Sequence, residues 1–124
     1  MKVWTAVGIA GALGALARYA IDGIVSRRFP TAFPWGTFVV NVSGCLVAGF
    51  MVVVLTERFA PPVWVRSGVT IGLLGAYTTF STFSVETYRL IEDGAIGLAV
   101  ANVTANLAVG LLAVYLGMAL GRTV

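Results

Sequence analysis

Histidine is absent from this 124-residue sequence, and cysteine occurs only once, as Cys45 inside an apolar run. A Cys/His metal site and a disulfide within the chain are therefore both excluded, and we interpret Cys45 as a small packing residue. Charge is also scarce, because only 10% of the residues are charged, whereas about 25% are charged in a typical soluble domain. Such a chain has too little water-facing sequence for a soluble fold, so most of its surface must contact lipid or other protein.

Hydrophobic residues, in contrast, make up 59% of the chain and gather in four long runs. A helix needs roughly 20 apolar residues to cross a bilayer, and each run is long enough. Turns that contain charged residues, proline or glycine separate the runs. We therefore predict one all-α domain with four transmembrane helices, a multi-pass protein of the cell membrane. The predicted spans are residues 3–25, 35–56, 64–91 and 95–121.

The basic residues lie near the ends of these spans. The net charge is +3, but the Lys and Arg side chains form no patch or stripe of the kind that binds nucleic acid. We interpret them as juxtamembrane anchors, as we do Trp4, Trp35 and Trp64, whose rings suit the headgroup layer. Lys2 and the apolar stretch after it resemble a secretory signal. That stretch is too long, however, and Arg18 interrupts the position of a cleavage site, so we expect it to remain in the mature protein.

Glycines recur at helical spacing in three of the predicted spans. In lipid, small residues let helix backbones approach closely, and van der Waals packing then drives association. We therefore expect these glycines to lie at contacts between helices. They are Gly8, Gly11 and Gly14 in the first span, Gly68, Gly72 and Gly75 in the third, and Gly110 and Gly117 in the fourth.

The basic charges are almost balanced across the membrane. An excess of Lys and Arg on the cytoplasmic side normally sets the orientation, and here that bias is close to zero. Either copies insert in both orientations and pair as an antiparallel dual-topology homodimer, or a weak bias or a partner fixes one orientation. The side with both termini has Lys2, Arg58, Arg66 and Arg122, and the opposite side has Arg27, Arg28 and Arg89.

Hydroxyl residues cluster near the middle of the third span, where five of the ten residues 75–84 are Ser or Thr. Hydroxyls can replace backbone hydrogen bonds, so the cluster predicts that this helix is broken mid-membrane. A membrane tolerates unwound backbone only where it is buried in protein or faces water. Freed carbonyls at such a break make a cation site, and two opposed copies would surround one ion. The alternative is ordinary hydroxyl packing between helices.

Two phenylalanines follow the predicted break. Phe80 and Phe83 are three residues apart and share a face of a helix. Because the edge of a phenyl ring is electropositive, a row of ring edges attracts an anion without a permanent charge. The alternative is that both rings simply face lipid or the protein core.

Two spans contain buried amides. Asn41 lies in the second span, one turn after Thr37, and Asn106 lies in the fourth, one turn after Asn102. An amide within the membrane needs a hydrogen-bond partner or water. Either these amides bond across helices, or they line a polar path, in which an amide N–H would donate to a small anion.

Arg18, Asp22 and Glu86 are the ionisable residues closest to the membrane interior, which makes them functional candidates. Each lies far enough toward the end of its span to reach the surface or to pair, so we expect structural or vestibule roles. No Lys, Arg, Asp or Glu occupies the middle of any predicted span. A proton-coupled carrier usually needs such a group, whereas a passive path lined by neutral donors does not.

Taken together and in this order, the motifs resemble the Fluc (CrcB) family of fluoride channels along nearly the whole chain. The matching segments are residues 11–19, 34–41 and 72–86, and the string Thr-Thr-Phe-Ser-Thr-Phe at 78–83 is the most specific of them. The resemblance implies a passive, fluoride-selective channel, not an enzyme, that exports fluoride from the cytoplasm and lowers its toxicity. It also implies an antiparallel dual-topology homodimer with two fluoride pores.

The same resemblance implies roles for individual residues. Backbone carbonyls of Gly75 and Thr78 would bind a structural sodium ion at the dimer centre. Where members of the family often have a serine in the fourth span, this chain has Asn106, a larger amide that could still donate. The predicted fluoride pathway consists of Asn41, Phe80, Phe83, Ser81, Thr82, Thr37 and Asn106.

Two other functions remain open at this stage. A small multidrug-type proton-coupled exporter also has four spans and an antiparallel dimer. That class uses a glutamate embedded in its first span, whereas the first span here has only Arg18 and Asp22 near its end. The third possibility is a membrane assembly factor that transports nothing, in which the polar residues serve packing alone.

Overall fold

The computed structural model describes residues 1–124, and every regular element in it is helical. Three helices are long and apolar enough to cross a membrane, which confirms the predicted all-helical, multi-pass architecture. The second of them ends in a π-helical turn over Val54–Arg58. The helices are α1 (Lys2–Arg28), α2 (Trp35–Val53), α3 (Val63–Ser67, π-helical Gly68–Leu74 and Gly75–Tyr77), α4 (Phe80–Glu92) and α5 (Ile96–Thr123).

Two extended residues, Thr78 and Thr79, separate α3 from α4. Thr78 has φ −80° and ψ 159°, and Thr79 has φ −146° and ψ 119°. The Thr79 side chain accepts a hydrogen bond from the Thr82 N–H and so caps the start of α4. Threonine is favoured at this position because its hydroxyl satisfies an N–H that has no partner within the helix. The regular helical backbone is therefore interrupted inside the cluster of hydroxyl residues.

Helices α1 and α3 run parallel and contact each other through glycines. A side chain on Gly14 would collide with the Leu73 backbone, and one on Gly72 would lie 2.7 Å from the Val7 carbonyl oxygen. Backbones this close exclude any residue larger than glycine at the contact. Gly8 differs, because no atom lies within 4 Å of the place where its side chain would be. The prediction that glycines lie at contacts between helices thus holds for Gly11 and Gly14 of the first span but not for Gly8.

The other parallel pair, α2 and α5, packs in the same way. A side chain on Gly49 would collide with the Val114 backbone, and one on Gly117 would collide with the backbone of Leu46. Two turns before Gly117, Gly110 lies against Cys45. These contacts align the middle of α2 with the middle of α5 and so determine which polar residues of the two helices meet.

The protomer buries little of its own surface. Only 20 of its 124 residues are buried, and large apolar side chains cover the outside of the long helices. Monomeric soluble proteins rarely expose so much contiguous apolar surface. This exterior is therefore suited to contact with lipid or with another protein surface.

Candidate ion pathway

Asn41 on α2 contacts the extended residue at the start of α4. Its Oδ1 accepts the Thr79 N–H at 2.8 Å, and its Nδ2 donates to the Thr79 carbonyl at 3.0 Å. In a continuous helix the Thr79 N–H would instead donate to the Gly75 carbonyl. A single amide side chain therefore satisfies both backbone groups of Thr79, which an extended residue buried among helices would otherwise leave unpaired.

Three amides form a continuous hydrogen-bonded chain from α2 to α5. Nδ2 of Asn41 also donates to Oδ1 of Asn106 at 3.3 Å. Nδ2 of Asn106 donates to Oδ1 and to the backbone carbonyl of Asn102, both at 2.9 Å. Asn102 is completely buried and donates from Nδ2 to the Thr87 hydroxyl on α4 at 2.9 Å. The predicted amides thus do bond across helices, and they do so where polar side chains line a cavity.

A group of hydroxyls lies at the N-terminus of α4. The Thr79 hydroxyl donates to the Thr82 hydroxyl at 3.0 Å and lies 3.5 Å from that of Ser81. Ser81 is exposed and Thr82 is partly exposed. Two of the hydroxyls predicted for the pathway are therefore adjacent to Thr79, within reach of the same cavities.

The two predicted phenylalanines lie close together but in different surroundings. Their ring centroids are 5.7 Å apart, with an angle of 48° between the ring planes. Phe83 is buried, with 9% of its surface exposed, whereas Phe80 is 79% exposed. Phe83 is part of the protomer's packing, and Phe80 is free to contact something outside the protomer.

Thr37 is buried and bonded to a residue of α4. Its hydroxyl donates to Oε1 of Glu86 at 2.9 Å. The second carboxylate oxygen of Glu86, Oε2, is buried and has no hydrogen-bond partner. An unsatisfied buried oxygen is costly, so Glu86 has an acceptor that is free for a further hydrogen bond.

Two cavities meet at Thr79. The larger has a volume of about 400 Å³ and no charged residue in its lining, and the smaller has about 340 Å³ and includes Arg18 and Asp22. Thr79 lines both, so they lie on either side of the break. Among the predicted site residues, the larger cavity brings together Asn41, Phe80, Phe83, Asn106, Gly75 and Thr78, the smaller includes Thr37 and Thr82, and Ser81 lines neither.

Carbonyl groups at the break lack their usual helical partners. The Thr78 carbonyl accepts no hydrogen bond, because the Thr82 N–H that would reach it in a helix bonds to the Thr79 hydroxyl. The Thr79 N–H, which would reach the Gly75 carbonyl, bonds to Asn41. The break therefore leaves backbone oxygens able to accept other partners.

Thr87 and Asn102 complete the chain of hydrogen bonds, although the sequence pattern indicates no role for Thr87 and shows Asn102 only as one turn before Asn106. The four-residue interval between the two asparagines is the signal that indicates their contact, because residues four apart are neighbours on a helix. Nothing in the sequence indicates that Thr87 would meet Asn102, since that contact depends on how α4 packs against α5.

Comparison with known proteins identifies the family of this chain. Residues 5–118 match the model of the family described as CrcB-like protein, Camphor Resistance (CrcB). A relative from Acidobacterium capsulatum, named fluoride-specific ion channel FluC, is 46% identical over 98% of this chain and 96% of its own length. Channels of the same name from Magnetococcus marinus and Solibacter usitatus are 41% and 40% identical, over 98% and 94% of this chain and 97% and 95% of their own lengths. With a match that covers nearly the whole sequence, this chain belongs to the CrcB family.

Proposed function

We propose that this protein is a passive, fluoride-selective channel that exports fluoride from the cytoplasm and lowers its toxicity. The proposal depends on one observation, the full-length match to relatives named fluoride-specific ion channels. It follows that the protein is a channel and not an enzyme. Hydrogen fluoride is a weak acid, so it crosses membranes in neutral form and accumulates inside as the anion. A passive exit for fluoride relieves that accumulation.

The uncharged cavity beside the break supports this function chemically. Moving a bare small anion into a low-dielectric medium costs tens of kcal/mol, and a channel must replace the lost water without binding the ion too tightly. The cavity offers the Asn41 amide N–H, threonine hydroxyls and the rings of Phe80 and Phe83, while the NH₂ group of Asn106, which also lines it, donates to Asn102. These groups provide many modest attractions, whereas a buried lysine would provide one deep trap.

We assign the anion's route to the residues predicted from the sequence: Asn41, Phe80, Phe83, Ser81, Thr82, Thr37 and Asn106. Six of them line one of the two cavities that share Thr79, and the Ser81 hydroxyl lies 3.5 Å from that of Thr79, which supports this assignment. Arg18 lies in the smaller cavity, where its positive charge would attract an anion toward the break. Thr37 already donates to Glu86, so its hydroxyl can serve the ion only if Glu86 releases it.

We further propose that two copies assemble as an antiparallel dual-topology homodimer with two pores and that the third span functions as a helix broken mid-membrane. The nearly balanced basic residues, the apolar exterior and the exposed Phe80 support this assembly. A second copy related by a twofold axis in the membrane plane would cover the open side of the larger cavity. Each copy would then contribute residues to the pore walls of its partner.

A structural sodium ion at the centre of that dimer fits the groups at the break. The carbonyl oxygens of Gly75 and Thr78 lack their helical donors, and unwound carbonyls are the groups with which transporters coordinate sodium. Bound sodium would supply a fixed positive charge near the path.

Ligands that bind only the folded state raise its stability. The midpoint of thermal unfolding in sodium chloride should therefore exceed that in N-methylglucamine chloride, and equal midpoints would contradict a sodium site.

The decisive experiment for the function is ion efflux from liposomes that contain the purified protein. Potassium fluoride-loaded vesicles, with valinomycin to carry the counterion, should release fluoride to an electrode, and chloride-loaded vesicles should not. Efflux at the rate of protein-free vesicles would overturn the proposal.

The same vesicles distinguish the other two functions. A proton-coupled exporter would change the pH of the vesicle interior on addition of a cationic drug, and a membrane assembly factor would neither release fluoride nor change the pH. The exporter is not favoured, because the first span has no glutamate.

Topology is tested separately with one cysteine at a helix end. In a Cys45→Ala background, Thr123→Cys is labelled by a membrane-impermeant maleimide before and after the vesicles are opened. Dual topology predicts that about half of the sites are labelled from each side. Labelling from one side only would exclude the antiparallel dimer while leaving the channel function to be judged by the efflux assay.

A further inference from the structure

Asn102 is the one amide of the hydrogen-bonded chain that lines neither of the two cavities at the break. It is completely buried, and both ends of its side chain are bonded. Oδ1 accepts from Asn106 on the same helix, and Nδ2 donates to Thr87 on α4. This is the only side-chain hydrogen bond between α4 and α5 among the described residues. Asn102 thus connects the helix with Asn106 to the helix with Phe83.

The bonds around Asn102 determine which way each amide points. The Thr87 hydroxyl donates its proton to the Phe83 carbonyl at 2.8 Å, so toward Asn102 it can only accept. An acceptor there requires the Nδ2 end of Asn102 to face Thr87, which leaves Oδ1 of Asn102 facing Asn106. The NH₂ group of Asn106 must then face Asn102, and its Oδ1 must face Asn41.

The other end of the chain requires the same orientation independently. The Thr79 N–H is a backbone group that can only donate, and it requires Oδ1 of Asn41 beside it. Nδ2 of Asn41 therefore faces Asn106, which must present its oxygen. Because the fixed donor at Thr79 and the fixed acceptor at Thr87 require the same orientation, the three amides have a single consistent direction and no member can be reversed alone.

The bond between Asn41 and Asn106 is the weakest in the chain. Its length is 3.3 Å, whereas the other bonds made by these amides measure 2.8 to 3.0 Å. A distance of 3.3 Å lies beyond the usual range for an N–H···O bond. The Asn106 oxygen therefore competes only weakly for the Asn41 N–H, and an anion that reaches Asn41 can displace it.

We propose that Asn102 is a positioning residue for the fluoride pathway. Its Oδ1 binds the NH₂ group of Asn106, which keeps the Asn106 oxygen directed at Asn41 at a distance of 3.3 Å. The Asn41 N–H is therefore held only weakly and can change its hydrogen-bond partner from the Asn106 oxygen to the ion. Asn102 itself does not touch the ion. This inference rests on the proposed fluoride channel, and wild-type efflux tests that function on its own.

The test measures fluoride efflux for Asn102→Leu in two backgrounds. In the wild-type background, Asn106 loses its side-chain tether and the maximal flux should fall by about tenfold or more, the effect of roughly one hydrogen bond. In an Asn106→Ser background, the serine hydroxyl donates without help from Asn102, so the same change should cost less than about threefold. The exposed Thr104→Val on the same helix is the matched control, and its flux should equal that of the wild type.

Two results would overturn the proposal. Wild-type flux in Asn102→Leu would show that the tether has no effect, and an equal loss in both backgrounds would show that Asn102 acts on general packing and not through Asn106. If Asn102→Leu does not elute as assembled protein, Thr87→Val is tested in its place. Thr87→Val removes the acceptor that orients Asn102, so wild-type flux, or an equal loss in both backgrounds, would again overturn the proposal. Absence of fluoride efflux from the wild-type protein would instead contradict the channel function itself.

Discussion

The side chain of Asn41 satisfies both backbone groups of Thr79, accepting its N–H at 2.8 Å and donating to its carbonyl at 3.0 Å. Asn41 lies on α2, and Thr79 directly precedes α4, 38 positions later in the chain. One amide thereby stabilises an extended residue between two helices and also places its own N–H beside the larger cavity. Structure at the break and chemistry in the path depend on the same side chain.

Replacing Asn41 by aspartate keeps its acceptor oxygen and removes its donor. The carboxylate still accepts the Thr79 N–H, but it cannot donate to the Thr79 carbonyl or to Asn106, and it brings negative charge to a path for anions. Loss of donors in a buried site costs about 1–3 kcal/mol, so we expect maximal fluoride flux to fall by about ten- to a hundredfold. Liposome efflux measures the change, with the exposed Val52→Ala on α2 as control. Equal flux in the two variants would remove Asn41 from the path.

Phe80 and Phe83 should respond differently to the same substitution. Isoleucine lacks an electropositive ring edge, so Phe80→Ile and Phe83→Ile should each lower fluoride flux by about tenfold or more. Phe83 is buried in the protomer and Phe80 is not. We therefore expect Phe83→Ile also to lower the free energy of unfolding by about 1–3 kcal/mol, whereas Phe80→Ile leaves the proposed dimer assembled.

Efflux and thermal unfolding of the same preparations distinguish these effects. If both variants conduct fluoride at the wild-type rate, ring edges do not contribute to permeation. If only the buried position affects flux, the ring of Phe80 has no role in the path.

Gly14 and Gly8 offer a matched pair on one helix. A methyl group on Gly14 would overlap the Leu73 backbone, whereas nothing lies within 4 Å of one on Gly8. Gly14→Ala should therefore lower stability by about 1–3 kcal/mol through overpacking, and Gly8→Ala should leave it unchanged. Thermal unfolding in detergent measures both. A larger loss for Gly8→Ala would show that an interface outside the protomer uses that position.

Thr37→Val tests the contact with Glu86. The substitution removes the only hydrogen-bond donor to the Glu86 carboxylate, whose other oxygen is already without a partner. We expect a loss of about 1–3 kcal/mol in the free energy of unfolding. Thr37→Ser keeps the hydroxyl and serves as the control. Equal unfolding midpoints for the valine and serine variants would mean that the hydrogen bond contributes nothing to stability.

The sequence was sufficient to predict the helical class, because long apolar runs are a local signal, whereas the mid-membrane break of the third span stays a prediction. Glycine spacing also predicted the contacts of Gly14 and Gly117, since close backbone approach requires small residues. The same spacing failed for Gly8, because one face of a helix can contact a neighbour over only part of its length. Sequence spacing does not show where that contact ends.

Long-range pairings were beyond sequence reasoning. Thr37 and Glu86 are separated by 49 residues, and Asn41 and Asn106 by 65. Which side chains meet depends on how each helix is rotated about its axis. The π-helical segment Gly68–Leu74 changes that rotation within α3, because each of its turns contains more residues than an α-helical turn. Sequence patterns that assume 3.6 residues per turn therefore cannot predict which side chains of different helices contact each other.

Helix α4 differs from its neighbours in its attachment to the rest of the protein. The α1–α3 and α2–α5 pairs pack through direct backbone contact at glycines. Helix α4, in contrast, is connected to α2 and α5 by side-chain hydrogen bonds of Thr37 and Asn102, and its N-cap residue is bonded to Asn41. Segments with fewer close contacts open at lower free energy than the core of a protein. On warming, α4 should detach before either glycine-packed pair separates, so the amide protons of Phe80–Glu92 would exchange with deuterium ahead of those in the pairs. Four of the seven residues assigned to the proposed pathway, Phe80, Ser81, Thr82 and Phe83, thus belong to the segment that is easiest to release.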